Sequence, residues 1–388
     1  MIDAMIDMAA WLLLAIPAAL TLVLAIELAV AQLPPPVPSA ATGDPRIAIV
    51  IPAHDEAAGI ATAIADARAA APPGARLLVV ADNCSDDTAD RARTAGAEAI
   101  ERHDPARRGK GFALAFARDH LAGDPPDVVV VVDADCTVAG DGIHRLAAAA
   151  LADGRPVQSA YLMRPAPERG AMVGLSNFAF LVRNLVRQRA LARLGAPALI
   201  TGSGTAFPWD AFMAAPLATA DLVEDLAIGI ALARQGRAPA FLAEATTWSD
   251  PARRAATIAQ RSRWEQGFLR SARATAAPLI LSGRWPLLWL GLHLSVPPLA
   301  LLGLIDIAAL GLLAGMVRFG ATELPFEILA ALLGITAALM LLCWWRFGRE
   351  QLSAGRLLLI PIYILWKLPI YLAAVLLPER HWIRTRRD

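Results

Sequence analysis

Residues Asp127 to Cys136 read Asp-Val-Val-Val-Val-Val-Asp-Ala-Asp-Cys. Five consecutive valines cannot alternate between a buried and a wetted face, so the segment reads as a strand covered on both sides, as at the centre of a parallel sheet. Such a strand ends where open α/β sheets bind ligands, and here that end carries Asp133 and Asp135. With only the small Ala134 between them, the two carboxylates can converge on one hard cation. Mg2+ or Mn2+ held in this way completes its shell with water and substrate phosphates. Two aspartates closing a strand are as often solvated loop residues, and the surrounding segments have to decide between the readings.

Upstream, short apolar strands alternate with amphipathic helices. Ile47 to Ile51 is a strand followed by Pro52-Ala53-His54-Asp55-Glu56 and an alanine-rich helix. Arg76 to Ala81 is a second strand, with the turn Asp82-Asn83-Cys84-Ser85-Asp86-Asp87-Thr88 after it, and Ala97 to Arg102 a third. A helix from Gly109 to Leu121 then leads into the valine strand. This β-α-β-α-β spacing predicts an α/β fold with a doubly wound, nucleotide-type sheet. The first strand is not followed by Gly-x-Gly-x-x-Gly, which argues against a dinucleotide dehydrogenase, and Gly109-Lys110 has Asp104 where a phosphate-binding loop needs its first glycine. A sheet of this kind would have to manage phosphate with a cation and a lysine.

The ends of the chain are of another character. Met8 to Leu33 is an apolar run long enough for one membrane crossing at ~20 residues per span. No Lys or Arg precedes Arg46, so the run lacks the basic start of a signal peptide. Asp3 and Asp7 lie before it and Arg46 and Arg68 after it, which predicts an outer amino terminus and a cytoplasmic domain. Pro34-Pro35-Pro36-Val37-Pro38 then forms a stiff spacer. Towards the carboxyl end three further apolar runs appear, Pro286 to Val317, Leu329 to Trp345 and Arg356 to Leu377. Before them, Pro251 to Arg284 holds seven arginines and one acid, interleaved with Ile258, Trp264, Phe268 and Leu269, the composition of an in-plane interfacial helix. One span before the domain and three after would put the arginine-rich tail outside, against the positive-inside tendency. A re-entrant or interfacial last run, with its Pro361, Lys367 and Pro369, removes the conflict. The expected organisation is a membrane helix at 1–34, a linker at 35–45, a cytoplasmic domain at 46–250, an interfacial region at 251–284 and a membrane region at 285–388.

A 56% hydrophobic content is too high for an ordinary soluble enzyme, and a net charge of +1 gives no reason to expect a nucleic-acid partner. The three cysteines lie far apart, without disulfide or zinc spacing.

Taken in order, the motifs resemble the bacterial membrane-embedded family 2 glycosyltransferases of GT-A fold, the group containing cellulose, hyaluronan and poly-N-acetylglucosamine synthases. The residues carrying the resemblance are Ile51 to Glu56, Ala81 to Thr88, Arg108 to Gly111, Asp133-Ala134-Asp135, Thr201 to Gly204, Glu224-Asp225 and Gln260 to Trp264. The resemblance covers about residues 46 to 284. It implies transfer of a sugar from a nucleotide donor, a UDP-sugar first among them, to a lipid-linked or saccharide acceptor. The setting would be the cytoplasmic face of a bacterial inner membrane, with membrane lipids as further partners.

Under that resemblance Asp133 and Asp135 hold Mg2+ or Mn2+, a Lewis acid for the leaving diphosphate. Asp55, Glu56, Asp82, Lys110, Asp133 and Glu224 serve the nucleotide and the substrate. Asp225 is the general base that takes the acceptor's proton in a single inverting displacement. Gln260, Arg263 and Trp264 fall on one helix face at i, i+3 and i+4, the arginine for diphosphate and the tryptophan as floor of the acceptor site. Gly202, Ser203 and Gly204 belong to the acceptor region. The chain departs from the usual pattern at Asp55, where asparagine is common, and at Asn83, where a second aspartate is common. Plainer readings stand beside these: Asp221 to Glu224 can be a capping box opening a helix, Lys110 a solvated residue at a helix start, and Thr201 to Gly204 a simple turn. Alternative functions are transfer of one sugar to a ceramide-like lipid, an inactive transferase-like partner of a polysaccharide export system, or nucleotidyl transfer. The last would call for a glycine-rich basic loop after the first strand, where this chain has Ala53-His54-Asp55-Glu56.

Overall fold

A computed structural model describes residues 2–36, 38–39, 43–219, 223–251 and 254–376, with the side chains of 2, 254–263, 370 and 372–376 outside the description. The chain forms two compact units. One contains the described residues of 35–164 and 195–251; the other contains those up to Pro34, Pro165–Leu194, and those from 254 onward. Pro165–Leu194, within the stretch expected to be one domain, thus groups with the long apolar helices.

The first unit is built on one eight-stranded sheet. Its strands are β1 (Ile47–Ala53), β2 (Arg76–Asp82), β3 (Glu98–Arg102), β4 (Val128–Val131), β5 (Cys136–Val138), β6 (Val157–Met163), β7 (Thr205–Pro208) and β8 (Ala240–Ser249). They lie in the order β3-β2-β1-β4-β7-β6-β8-β5. The first four are parallel, with Val50 opposite Val131 and Ala53 opposite Ala81. All four residues of β4 are buried, as a run of valines covered on both faces must be. On one face the helix Lys110–Leu121 lays Ala113, Leu114, Ala117 and Leu121 into a core with Val50, Val80, Val129, Val131, Phe207 and Phe212.

Beyond β4 the sheet is mixed. β7 runs antiparallel to both β4 and β6, β8 is parallel to β6 with a register shift between Ser159 and Ala160, and β5 is antiparallel to β8. Strand order reverses between β1, which continues to β2 and β3, and β4. The carboxyl ends of β1 and β4 therefore diverge into a crevice, the usual place for a ligand in an open sheet.

The second unit is helical. Among the described residues three helices are long and apolar enough to cross a membrane: Asp3–Val30, Leu299–Arg318 and Leu324–Gly348. Two of the apolar runs depart from single spans. Pro286 to Val317 is broken by Val296-Pro297-Pro298 into the helices Trp285–Ser295 and Leu299–Arg318. At 11 residues the first is ~16 Å long, about half the hydrocarbon thickness. Arg356 to Leu377 divides into Ala354–Leu357 and Ile360–Leu376, and the latter is not among the three. The arginine-rich segment forms the helix Arg254–Ile280. Glu27, the acid inside the first apolar run, is fully buried, with its carboxylate against Arg187 Nε and 2.8 Å from His293 Nδ1. Lipid therefore never meets that charge.

Candidate active site

The crevice is an open cleft lined by Pro52, His54, Glu56, Asp82, Arg108, Lys110, Asp133 and Asp135, among others. Each wall has a local cause. β1 ends in Pro52-Ala53, and the backbone turns at Asp55 with φ of 52°, a left-handed conformation that aspartate and asparagine tolerate better than most residues. β2 ends the same way, with Asn83 at φ of 53°. Asp55 Oδ1 then accepts hydrogen bonds from Ser85 N at 2.6 Å and Ser85 Oγ at 3.1 Å. Burial alone would raise the Asp55 pKa, but these hydrogen bonds outweigh it and hold the carboxyl below its ordinary range. Asp82 is nearly buried, and its Oδ1 accepts from Arg102 Nη1 at 2.6 Å and Asn83 Nδ2 at 3.0 Å. Asn83 Oδ1 in turn accepts from Asp104 N at 2.8 Å, so the asparagine ties the two loops together. An aspartate there could not donate to Asp82.

Lys110 opens the helix Lys110–Leu121, and its position depends on Gly111. A Cβ at residue 111 would lie 2.3 Å from Leu217 O and 2.9 Å from Thr219 O, so only glycine lets the helix start this close to that segment. The lysine Nζ sits 2.5 Å from Asp133 Oδ1, 2.7 Å from Gly202 O and 3.9 Å from Asp225 Oδ1. It is not a solvated helix-start residue. Burial alone would lower its pKa, but the carboxylates of Asp133, Asp225 and Glu224 outweigh it and raise the pKa above the ordinary lysine value.

Glu224 and Asp225 begin the helix Glu224–Arg234. Burial is the main cause that pushes Glu224 up to about 8, with the neighbouring Asp225 adding to it and Lys110 opposing. Asp225 is raised by burial and by Asp133, again against Lys110. Gly202, at φ of 96°, makes room for this pair: a Cβ there would be 2.5 Å from Asp225 Oδ2 and 3.2 Å from Lys110 Nζ. Gly204, at φ of 69°, would place a Cβ 1.9 Å from Thr247 Oγ1 and 2.2 Å from Ser159 Oγ. Ser203 Oγ accepts from Asp133 N at 3.0 Å. The close approaches of these three residues are thus to Asp225, Lys110 and Asp133 and to the strand residues Ser159 and Thr247.

One carboxylate oxygen each from Asp133 and Asp135, with Cys136 Sγ, lie within 4.8 Å of one another. Cys136 is buried; burial and the charges of Asp135 and Asp133 push its thiol well up, so it stays protonated and donates towards Asp135 Oδ1 at 3.5 Å. Two carboxylates are left as donors, a set that fits a hard divalent ion.

The profile described as "Glycosyltransferase like family 2" matches residues 45–267, more than half of the chain. The chain belongs to this family. Among solved structures, the mannosyltransferase PcManGT from Pyrobaculum calidifontis, in complex with GDP-Man and Mn2+, is similar over 93% of this chain and 99% of its own, at 20% identity and a TM-score of 0.58. Glucosyl-3-phosphoglycerate synthase from Mycobacterium tuberculosis, in complex with Mn2+, UDP and glucosyl-3-phosphoglycerate, matches 51% of this chain and 70% of its own, at 24% identity and a TM-score of 0.37. No curated protein matches. The sheet is accordingly the GT-A-like α/β sheet of a family 2 glycosyltransferase.

The three remaining candidate residues of this glycosyltransferase, Gln260, Arg263 and Trp264, belong to the helical unit. Trp264 belongs to the helical unit, where it stacks on Phe180 at 5.8 Å between ring centroids and lines a cavity with Arg183, Glu265, Phe268 and Tyr363. Gln260 and Arg263 are on the same helix, and their side chains fall outside the described residues, as do Asp221 and Leu222 of the capping-box reading. Two residues of the site escaped the sequence analysis. Arg102, 10% exposed, pins Asp82 and lies over the Phe112 ring at 5.5 Å. Gln158, fully buried in β6, accepts from Thr201 N at 3.0 Å and Thr205 Oγ1 at 2.7 Å and donates to Ser203 O at 2.9 Å. It holds both sides of the glycine loop that carries Gly202 to Lys110. A fully buried glutamine amid strand residues was the only available signal, and the sequence does not say which residues are buried.

Proposed function

We infer that this family 2 glycosyltransferase moves one sugar from a nucleotide donor to an acceptor hydroxyl by a single inverting displacement. The observation that carries this reading is the bridge made by Lys110, one ammonium group within reach of both Asp133 and Asp225. It joins a carboxylate suited to the donor's diphosphate side to one suited to an acceptor proton.

Asp82, at the end of β2, and Asp55 and Glu56, on the loop after β1, receive the nucleoside. Asp133 and Asp135 would hold Mg2+ or Mn2+, which when bound supplies Lewis-acid stabilisation of the leaving diphosphate. Lys110 adds a fixed positive charge beside that leaving group. Asp225 removes the acceptor hydroxyl proton as its oxygen bonds to the anomeric carbon and the carbon–oxygen bond to the diphosphate breaks. The raised Glu224–Asp225 pair suits this role, because a base works best when its pKa lies near the working pH.

The long apolar helices support a multi-pass membrane protein whose acceptor is lipid-linked or a growing saccharide at the cytoplasmic face. Two crossings after the catalytic domain, with the last helix at the interface, return Arg346 and Arg349 to the side of that domain. Gln260, Arg263 and Trp264 are proposed for the diphosphate and the acceptor, and the loop of Gly202 to Gly204 for shaping the base.

The test is release of nucleoside diphosphate from detergent-purified protein offered UDP- and GDP-sugars, with Mg2+, Mn2+ or EDTA. Turnover with one donor, lost in EDTA and reduced at least ~10²-fold in Asp135→Ala, is expected. Full turnover in EDTA would overturn the metal's role, and absence of nucleotide binding would overturn the donor.

A further inference from the structure

Asp82 ends β2, Asn83 follows it, and both line the cleft. Asp82 is only 6% exposed, and its two carboxylate oxygens are not equivalent. Each such oxygen offers about two lone-pair sites. On Oδ1 both are filled, one by Arg102 Nη1 at 2.6 Å and one by Asn83 Nδ2 at 3.0 Å. Oδ2 accepts no hydrogen bond from the described residues. A nearly buried carboxylate thus presents a single open acceptor oxygen at the cleft wall.

Asn83 sets a donor beside it. The orientation of its amide is fixed from both sides, because Asp104 N, at 2.8 Å from Oδ1, can only donate and the Asp82 carboxylate can only accept. The backbone is fixed as well: Asn83 N donates to Arg102 O at 2.7 Å, and φ is 53°, a left-handed conformation that asparagine tolerates. One N–H of the amide goes to Asp82, and the other meets no acceptor among the described residues. Acceptor and donor therefore stand side by side. A ring N–H next to a carbonyl is the group that satisfies both. Uracil and guanine carry that edge, whereas cytosine and adenine turn a ring-nitrogen lone pair to the same place, against the Asp82 charge. Guanine adds an amino group beside its ring N–H, and two such donors call for both oxygens of a carboxylate. Oδ1 is already full, so the single ring N–H of uracil is matched while guanine keeps an N–H unpaired, which costs affinity.

We propose that Asp82 Oδ2 and the Asn83 amide read the N–H and C=O of a uracil base, and that Arg102, by filling Asp82 Oδ1, is the positioning residue that turns the site away from guanine. The inference rests on the nucleotide-donor reading above and narrows it to uridine nucleotides. It gives Asn83 a part that aspartate, an acceptor only, could not take.

The test is calorimetric binding of UDP, GDP, CDP and ADP to full-length protein in detergent with Mn2+. UDP is expected to bind at least ~10-fold more tightly than each of the others. Asn83→Asp, which tolerates the same left-handed backbone, should narrow the UDP-over-CDP ratio at least ~10-fold. Arg102→Met, which frees Oδ1, should narrow the UDP-over-GDP ratio, and Asn83→Asp serves alone should Arg102→Met fail to fold. A merely structural role for either residue would weaken all four nucleotides alike and leave the ratios unmoved, and that result would overturn the assignment. CDP bound as tightly as UDP would overturn the reading of the base, and GDP bound more tightly than UDP would overturn the part given to Arg102. Binding of none of the four would overturn the donor reading itself and this inference with it, a result distinct from binding without preference.

Discussion

At the scale of single residues, the site is organised by charge. Glu224 and Asp225 are both raised, chiefly by burial, and Lys110 keeps the excess negative charge from being larger. A base must be ionised to act, so with both carboxyls raised the activity should still be climbing as pH rises above the ordinary carboxylate range. Removing the charge of one member makes the other easier to ionise. Glu224→Gln is therefore expected to move the acid limb of the kcat/KM–pH profile to lower pH, and an unmoved or rising limb would refute the coupling. Gly202 gives a steric counterpart. Alanine there adds a Cβ 2.5 Å from Asp225 Oδ2 in a left-handed backbone, a conformation costing ~1–2 kcal/mol on its own. Gly202→Ala should lower kcat at least ~10-fold while nucleotide affinity, read by calorimetry, changes little; a loss confined to nucleotide affinity would show that the base had not moved.

At the scale of elements, what was legible in the sequence was whatever is local. Five valines forced β4, and the strands at Ile47, Arg76 and Ala97 carried enough β-branched and aliphatic residues to be seen, so the parallel half of the sheet and the placing of Asp133 and Asp135 followed. The antiparallel half did not, because β7 has only four residues and its pairing with β4 and β6 is non-local. Gln158 shows the same limit in the site: its partners Thr201 and Thr205 lie 43 and 47 residues away. Gln158→Leu would strand the groups it now satisfies, at ~1–3 kcal/mol for each buried one. The expected result is a lower unfolding temperature together with reduced kcat, measured by thermal unfolding in detergent and by turnover. Full activity with lowered stability would mean that the loop holds its shape without the glutamine.

At the scale of the whole molecule, composition announced apolar helices but not their ends. Pro297-Pro298 divides one run, and the last run forms a short helix and a 17-residue one that begins beside Pro361, because proline interrupts helices that hydropathy alone reads as continuous. The buried Glu27, Arg187 and His293 show how such a unit carries ionisable groups, by pairing them inside. The proposed reaction divides labour within the sheet-bearing unit, with donor binding at the ends of β1, β2 and β4 and proton removal by Asp225. The most direct measurement is the Asp225→Asn variant, followed by nucleotide binding and by single-turnover sugar transfer on the same preparation. The predicted result is nucleotide affinity close to that of the wild-type protein with transfer slowed ~10²–10⁴-fold. Transfer at the wild-type rate would contradict the assignment of the base, and with it the inverting displacement proposed for this chain.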